Sequence, residues 1–222
     1  AKLLKDERRM IKVNGLPIRR IADLMGVINT IVFAPEDLRV IKEGPSLRRR
    51  LMDLEISKIK KSYYFDLQQY HMVLRNKNRL LKNEKIDDVL LETYNDELVR
   101  HAGKVILHRH EFLAQLNRQT ASVFQELSGD DWTIELNYEC CADIGNIEDS
   151  LTNRIANQER REREQRVALV GPHREDLGIL INGKEAKTFA SQGQLRMAML
   201  SIKLAFAKLA EEMSGERPIL LL

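Results

Sequence analysis

The sequence has few cysteines, few aromatic residues and no long apolar run. Its two cysteines, Cys140 and Cys141, are adjacent, a spacing that strains a disulfide between them and matches no metal-binding pattern. We therefore expect reduced thiols, a cytoplasmic location and no metal held by protein side chains. No stretch approaches the roughly 18 to 20 apolar residues of a membrane span, and residues 1–12 do not resemble a signal peptide. We expect a soluble protein that does not contact a membrane.

The overall charge is also small. The 222 residues include 36 lysines and arginines against 33 acidic residues, a formal net charge of +3. Any affinity for nucleic acid must therefore come from local clusters of basic residues. An aromatic content of 5% with 31% charged residues indicates long solvated helices, and a hydrophobic content of 43% is enough to fill a core.

Strand patterns dominate residues 1–45. The segment from Arg8 to Arg20 predicts a hairpin around Asn14-Gly15, because this dipeptide is a strong two-residue turn signal. A short helix is expected from about Arg20 to Met25. The apolar run Thr30–Phe33, which ends at Pro35, predicts a buried strand.

Helical periodicity follows in residues 46–128. An apolar stripe with spacings of three and four residues runs through Leu47, Leu51, Leu54, Tyr63, Leu67, Tyr70, Leu74 and Leu81, and Asn83 interrupts it. A second stripe runs through Leu91, Tyr94, Leu98, His101, Val105, His108, Phe112 and Leu116. Two such helices predict an antiparallel hairpin. We expect His101 and His108 to be seam residues and not metal ligands.

Residues 129–222 return to mixed patterns. Strands are expected at Trp132–Tyr138, Val167–Gly171, Leu177–Ile181 and Ala186–Phe189, with a second Asn-Gly turn at Asn182-Gly183 and a last apolar strand at Pro218–Leu222. The charged stretch from Ile147 to Arg166 predicts a solvated helix with i,i+4 ion pairs. Strands on both sides of a helical insertion indicate an α/β domain interrupted by an arm.

The start of the last long helix has the composition of a phosphate-binding site. Ser191, Gln192, Gly193 and Gln194 combine a hydroxyl, two amides and a glycine at a point where unpaired N–H groups and the helix dipole favour an anion. The alternative is a helix cap, because Ser191 followed three residues later by Gln194 is a capping box. The two interpretations are compatible.

Other charged residues are candidates for binding. Arg48, Arg49 and Arg50 cluster at a helix start, where cations oppose the dipole. They predict either contact with DNA or another acidic partner, or internal pairing with Asp53, Glu55 or the arm. His173 and Arg174 follow Gly171-Pro172 at a strand-end turn, where they are either adjacent to a site or part of a buried polar latch.

Five motifs in order resemble the RecF family of bacterial recombination-repair proteins. They are Phe33–Leu38, Gly44–Arg50, Gly171–Leu177, Ser191–Gln194 and Pro218–Leu222. The resemblance covers nearly the whole chain. It implies an α/β fold, an incomplete ABC-type ATPase head with an inserted antiparallel helical arm. Residues 1–45 and 129–222 then belong to the head and residues 46–128 form the arm.

The same resemblance implies a nucleotide site. Ser191 to Gln194 would correspond to the ABC signature motif, which contacts ATP bound by a partner subunit, and Leu195 departs from the family's second glutamine there. The phosphate loop would lie before Ala1 and the Walker B aspartate after Leu222. We therefore expect a fragment that is inactive by itself, with ATP and Mg²⁺ bound through residues outside it.

The function that the resemblance implies is ATP-dependent repair of DNA. The intact protein would be a DNA-dependent ATPase that forms an ATP-dependent homodimer, binds DNA and assists recombinase loading at gapped DNA with RecR and RecO. Two alternatives remain. One is a non-catalytic helical adaptor whose arm binds proteins. The other is a different head of the same chromosome-maintenance ATPase superfamily, for which residues 46–128 make a short arm.

Overall fold

A computed structural model of the chain describes residues 11–13, 16–18, 30–129 and 132–221. Strand β1 (Ile11–Val13) pairs antiparallel with β2 (Leu16–Ile18), and Ile11 lies opposite Ile18. This register is that of the predicted hairpin. The Asn14-Gly15 turn itself and the helix predicted from Arg20 to Met25 lie outside the described residues.

Two strands that are distant in sequence pair in parallel. Strand β3 (Thr30–Val32) lies beside β7 (Ile219–Leu221), with Ile31 opposite Leu220. The parallel pairing agrees with the prediction of strands at these two positions. Burial differs between them, because Ile31 is buried whereas all three residues of β7 are exposed. A short 3₁₀ turn (Pro35–Asp37) and helix α1 (Leu38–Lys42) follow β3.

The stretch from residue 46 forms two helices, α2 (Pro45–Ile59) and α3 (Lys61–Leu80). They are separated at Lys60, whose backbone is extended with φ −115°. The predicted stripe is only partly correct in α2, because Leu51 packs against the core but Leu54 is 46% exposed and the buried apolar residues are Met52 and Ile56. The helical period is interrupted at Lys60, so the spacing of apolar residues in α3 does not determine which face of α2 is buried. In α3 the predicted residues are buried.

Helix α4 (Asp88–Ser128) returns along α3 and forms the predicted antiparallel hairpin. At one end the ring of Tyr63 lies edge-on to His108, with 5.8 Å between the ring centroids. At the other end Leu81 and Leu91 share a small buried cluster. Asp87 caps α4, because its carboxylate accepts a 3.1 Å hydrogen bond from the N–H of Leu90.

The second half of α4 packs against helix α7 (Gln192–Ser214). The rings of Phe112 and Phe206 stack with 5.9 Å between their centroids. Both rings belong to one continuous buried cluster that also includes residues of α2, α3 and the sheet described next. Helix α4 is therefore shared between the helical hairpin and the rest of the core, and the division of the chain at residues 46 and 128 stays a prediction.

A three-stranded antiparallel sheet covers this core. Strand β4 (Ile134–Glu139) pairs with β5 (Asp176–Ile181), which pairs with β6 (Lys184–Glu185). Ile134 and Leu136 are buried while Glu135 and Asn137 face solvent, which confirms the alternation. The Asn182-Gly183 turn is also confirmed, with positive φ values of 49° and 72°. Such a turn requires φ above zero at both central positions.

Two predicted strands are wrong. Residues 167–171 form a loop after helix α5 (Ile147–Gln165), and residues 186–189 form the short helix α6 (Ala186–Phe189). The loop has no strand partner because side chains satisfy its backbone. The N–H of Ala168 donates to Asn78 Oδ1 and the N–H of Leu169 donates to Glu162 Oε1, both at 2.7 Å.

The described residues contain no helix that is both long and apolar enough to span a membrane. Their architecture is mostly helical, with small sheets packed on the helices.

Candidate functional site

The segment Ser191–Gln194 forms the predicted capping box at the start of α7. The N–H of Gln194 donates to Ser191 Oγ at 3.3 Å, and the N–H of Ser191 donates to Gln194 Oε1 at 2.6 Å. These bonds satisfy two backbone donors and leave those of Gln192 and Gly193 at the helix start without an intrahelical acceptor. The cap interpretation is confirmed, and it does not exclude a ligand.

The exposed surface of this segment fits an anionic ligand. Ser191, Gln192 and Gly193 are exposed. A Cβ built on Gly193 would meet no atom closer than Ser191 Oγ at 4.0 Å, so packing within the chain does not require glycine there. Glycine does allow an external group to approach the backbone closely. Leu195 is buried in the core, which explains why an apolar residue occupies this position.

A buried lysine fixes α7 to the segment Phe33–Leu38. Lys203 Nζ lies 2.5 Å from Asp37 Oδ2 and also donates to the carbonyl of Val32. The same Asp37 oxygen accepts a 2.6 Å hydrogen bond from the N–H of Ala34. The helix that carries Ser191 is thus held to the end of β3 by a charged pair.

Arg48 is an internal structural residue. Its guanidinium makes a two-pronged contact with Asp176 at 2.7 and 2.6 Å, and it also donates to the carbonyl of Glu43 at 2.9 Å near the end of α1. The hydrogen bond with Asp176 raises the pKa of Arg48. Internal pairing is therefore correct for Arg48, with Asp176 in place of Asp53 or Glu55, and the prediction of a DNA contact at Arg48 is wrong because its donors are occupied.

Arg49 and Arg50 differ from Arg48. Arg49 donates to the backbone carbonyl of Glu175 at 2.6 Å, and burial together with the charge of Arg109 lowers its pKa. Arg50 is exposed. Both line a cavity of about 530 Å³ between α2, α3 and the loop at His173. A contact of Arg49 or Arg50 with DNA stays a prediction.

His173 forms the predicted polar latch. Its Nε2 lies 3.1 Å from the carbonyl oxygen of Ala168, and its Nδ1 contacts the hydroxyl of Tyr70. Since a carbonyl only accepts, Nε2 carries the proton and Nδ1 accepts from Tyr70 in the neutral ring. Burial lowers the pKa of His173 to about 4. Arg174 donates to the same carbonyl at 3.0 Å and is exposed.

A buried ionic network holds the loop that contains His173. Arg109 is 1% exposed and donates to Asp53 at 2.7 Å, to Glu175 at 3.1 Å and to the carbonyl of Pro172 at 2.8 Å. Burial opposes its charge, but nearby Tyr63, Asp53 and Glu175 raise the pKa of Arg109 well above its usual value. Sequence patterns did not predict this network. The available signal was an arginine four residues after Val105 and three before Phe112, in the stripe itself.

The remaining candidates are structural. Both cysteines are free, and burial raises the pKa of the Cys140 thiol to about 11. His108 contacts the ring of Tyr63 and its Nε2 lies 3.6 Å from Asp66, which agrees with a seam position. Across residues 30–129 and 132–221, no group of His, Cys, Asp and Glu is arranged to hold a metal ion.

The partly buried ring of His173 predicts a loss of stability in mild acid. Its pKa is about 4 in the folded protein against about 6.5 when unfolded. The unfolded state therefore binds more protons between these values. The contribution of His173 to the free energy of unfolding is fully present above about pH 6.5 and falls as the pH decreases. From pH 7 to pH 5 this histidine alone should cost about 2 kcal/mol.

Urea unfolding at pH 7 and pH 5 measures this effect. The variant His173→Gln has no titrating group at position 173. Its loss of stability from pH 7 to pH 5 should therefore be smaller than that of the parent by about 2 kcal/mol. Equal losses in the two proteins would show that His173 titrates normally.

Comparisons with known proteins were made for both sequence and structure. No family model matches the sequence. Among curated relatives, the DNA replication and repair protein RecF of Clostridium perfringens strain SM101 is 37% identical over 221 residues, which is 99% of this chain and 61% of the relative. RecF of Clostridium beijerinckii is 37% identical over 222 residues, 99% of this chain and 60% of the relative.

Two solved structures have the same fold. One is the recombination mediator protein RecF with ATP in the RecFOR pathway, with a TM-score of 0.89, 37% identity and coverage of 96% of this chain and 59% of the other. The second is RecF-ATPrS, with a TM-score of 0.88, 36% identity and coverage of 95% and 59%. The chain thus spans about three fifths of the length of these proteins. Since sequence and fold agree along nearly all of its residues, this chain belongs to the RecF family.

Proposed function

We propose that this chain supplies the Ser191–Gln194 side of an ATP site in an ATP-dependent DNA repair protein. The observation that carries the proposal is the exposed, capped start of α7, where Gly193 has open space above it. Support comes from the RecF structures with ATP and ATPrS, which match this chain over 95% or more of its length. As the chain spans only 61% of a whole RecF, the activity of the whole protein is part of the proposal.

The residues of the segment bind and orient the nucleotide in this proposal. Ser191 Oγ accepts from Gln194, and its own O–H has no acceptor among the described residues, so it is available to donate to a phosphate oxygen. The free N–H groups of Gln192 and Gly193 point outward along the helix axis, and the positive end of the α7 dipole also favours an anion there. Gln194 keeps the serine in place through the capping box.

The other half of the site belongs to residues outside this chain. The family resemblance places the phosphate loop and the Walker B acid there, and Mg²⁺ bound with ATP neutralises phosphate charge. The described residues fit a surface that closes over ATP held by a second subunit. ATP then promotes formation of a homodimer, and hydrolysis is assigned to the longer protein and not to this chain alone.

The proposed biological role is to bind DNA and to assist recombinase loading at gapped DNA. The curated relatives are described as DNA replication and repair proteins, and the similar structures belong to the RecFOR pathway. We propose RecO and RecR as partners on this basis. The dimer would be the DNA-binding form, so ATP controls when the protein engages its substrate.

The substitution Ser191→Arg in the full-length protein tests the proposal. ATP binding should remain near the parental value, because each full-length subunit binds ATP through its own phosphate loop, which the substitution does not change. ATP-dependent dimerisation should be lost, since a large cation would occupy the position of the phosphate. Sedimentation with ATP under non-hydrolysing conditions distinguishes the monomer from the dimer.

Two control variants separate binding from stability. Ser191→Ala removes the cap and should cost about 1 kcal/mol, which measures how much of any effect comes from the helix start. Ser214→Arg adds the same bulk at the exposed opposite end of α7 and should dimerise normally. Parental dimerisation of Ser191→Arg would contradict the proposal and leave Ser191–Gln194 as a helix cap only.

A further inference from the structure

A groove lined by three arginines lies between α5 and the loop before β5. Its volume is about 490 Å³, and its polar lining residues are Arg154, Asn157, Gln158, Arg161 and Arg174. The first four share one face of α5, because they are spaced at i, i+3, i+4 and i+7. Arg174 reaches the groove from the loop. We call this surface the arginine groove.

No acidic residue lines the arginine groove. Elsewhere on α5 the arginines are paired at i,i+4 spacing, Arg160 with Glu164 at 3.0 Å and Arg163 with Glu159 at 2.6 Å. Arg154 has only uncharged residues three and four positions away on the helix. The groove face is thus the part of α5 whose positive charge is left uncompensated.

The three guanidinium groups have no carboxylate partner among the described residues. Arg161 donates to the amide oxygen of Gln158 at 3.2 Å, and Arg174 donates to the carbonyl of Ala168 at 3.0 Å. All three arginines are exposed. Because each guanidinium has five N–H donors, most donors remain available to an external acceptor.

The loop that forms one side of the groove is fixed by side chains from neighbouring helices. The loop is fixed at Pro172 and Glu175 by the buried Arg109, and at Ala168 and Leu169 by Asn78 and Glu162. The backbone that carries Arg174 is therefore already ordered before a ligand meets its side chain. A fixed arrangement of unpaired arginines and amides is suited to hydrogen bonding with phosphate oxygens.

We propose that the arginine groove binds the phosphate backbone of DNA. This inference rests on the DNA-binding role proposed above and locates it on the surface. Arg154 and Arg161 are separated by about 10 Å along the helix, a distance that one DNA strand covers in about three nucleotides. The two amides between them can donate to intervening phosphates. The polar lining has no aromatic anchor of the kind that a protein partner uses.

The neutralising pair Arg154→Gln/Arg161→Gln in the full-length protein tests this location. If each arginine contacts one phosphate, the slope of log Kobs against log salt should become shallower by about two units. At about 0.1 M salt the pair should bind duplex DNA at least tenfold more weakly than the parent. Fluorescence anisotropy at several salt concentrations measures both quantities.

The control pair Arg160→Gln/Arg163→Gln removes the same charge from the same helix outside the groove. It should keep the parental slope within about half a unit. The pair Arg154→Lys/Arg161→Lys retains the charge and should recover most of the slope, which shows that a loss in the glutamine pair is not caused by misfolding. Melting curves for all variants accompany the binding data.

The outcomes separate this inference from the proposed function. If the parent does not bind DNA, both fail. If the parent binds and the groove pair keeps its slope, DNA lies elsewhere and only the arginine groove is refuted. An equal loss in the groove and control pairs would also refute it, because the effect would then follow net charge and not position.

Discussion

Replacing Arg109 with leucine is expected to destabilise the protein by about 3 to 5 kcal/mol. Arg109 is buried between Asp53 and Glu175, and its removal leaves two carboxylates without their common cation. Glu175 is itself buried, so water cannot replace the lost hydrogen bonds. The carbonyl of Pro172 also loses its donor, which adds to the cost.

Chemical denaturation at pH 7 measures this loss, with Arg118→Leu as the control. Arg118 is exposed on the same helix, and its replacement should change stability by no more than about 0.5 kcal/mol. Comparable stabilities of the two variants would show that the buried network contributes nothing net. Loss of the network should also free the loop at His173, so the latch hydrogen bonds would weaken in the same variant.

The second large effect is expected from the pair Lys77 and Glu162, which connects α3 to α5. The two side chains are 0% and 1% exposed and their charged atoms are 2.6 Å apart. The contact lacks hydrogen-bond geometry, since Lys77 Nζ and Glu162 Oε2 have no hydrogen-bond partner among the described residues. Lys77→Met should therefore leave Glu162 as a buried uncompensated acid and cost about 3 to 5 kcal/mol.

The double variant Lys77→Met/Glu162→Gln should recover most of that loss. Glutamine removes the charge but retains an oxygen that can accept from the N–H of Leu169, as Glu162 Oε1 does at 2.7 Å. Replacement of a buried pair by neutral groups is often neutral or stabilising. Calorimetric melting of the single and double variants gives the coupling between the two positions, and a double variant no more stable than Lys77→Met would contradict this account.

Periodicity predicted the elements whose conformation depends on residues close together in sequence. The α3–α4 hairpin, the alternation of β4 and the Asn182-Gly183 turn all follow from local patterns that the structure confirms. The failures occur where distant side chains decide instead. Residues 167–171 have the composition of a strand, but Asn78, 90 residues away, and Glu162, seven residues away on the preceding helix, take two of their N–H groups.

The candidate site shows the same division. The capping box at Ser191 is local and was predictable from residues three apart. The partner of Arg48 is Asp176, 128 residues away, and no spacing rule connects them. The arginine groove combines a helical face with a loop whose position depends on Arg109. The sequence predicts a charged helix there, but only the structure shows that the loop with Arg174 meets the face of this helix that lacks acids.

The length of helix α4, 41 residues, would amplify a small rotation at its contact with α7. The helix start at Asp88 lies about 36 Å along the helix axis from the stacking contact between Phe112 and Phe206. A tilt of the helix by about 10° around this contact would displace the start of α4 by about 6 Å. Because α5 is tied to the same end through Arg163 and Asp88, a small rotation of α7 beneath Phe112 would be converted into a much larger sweep of the arginine-bearing helix.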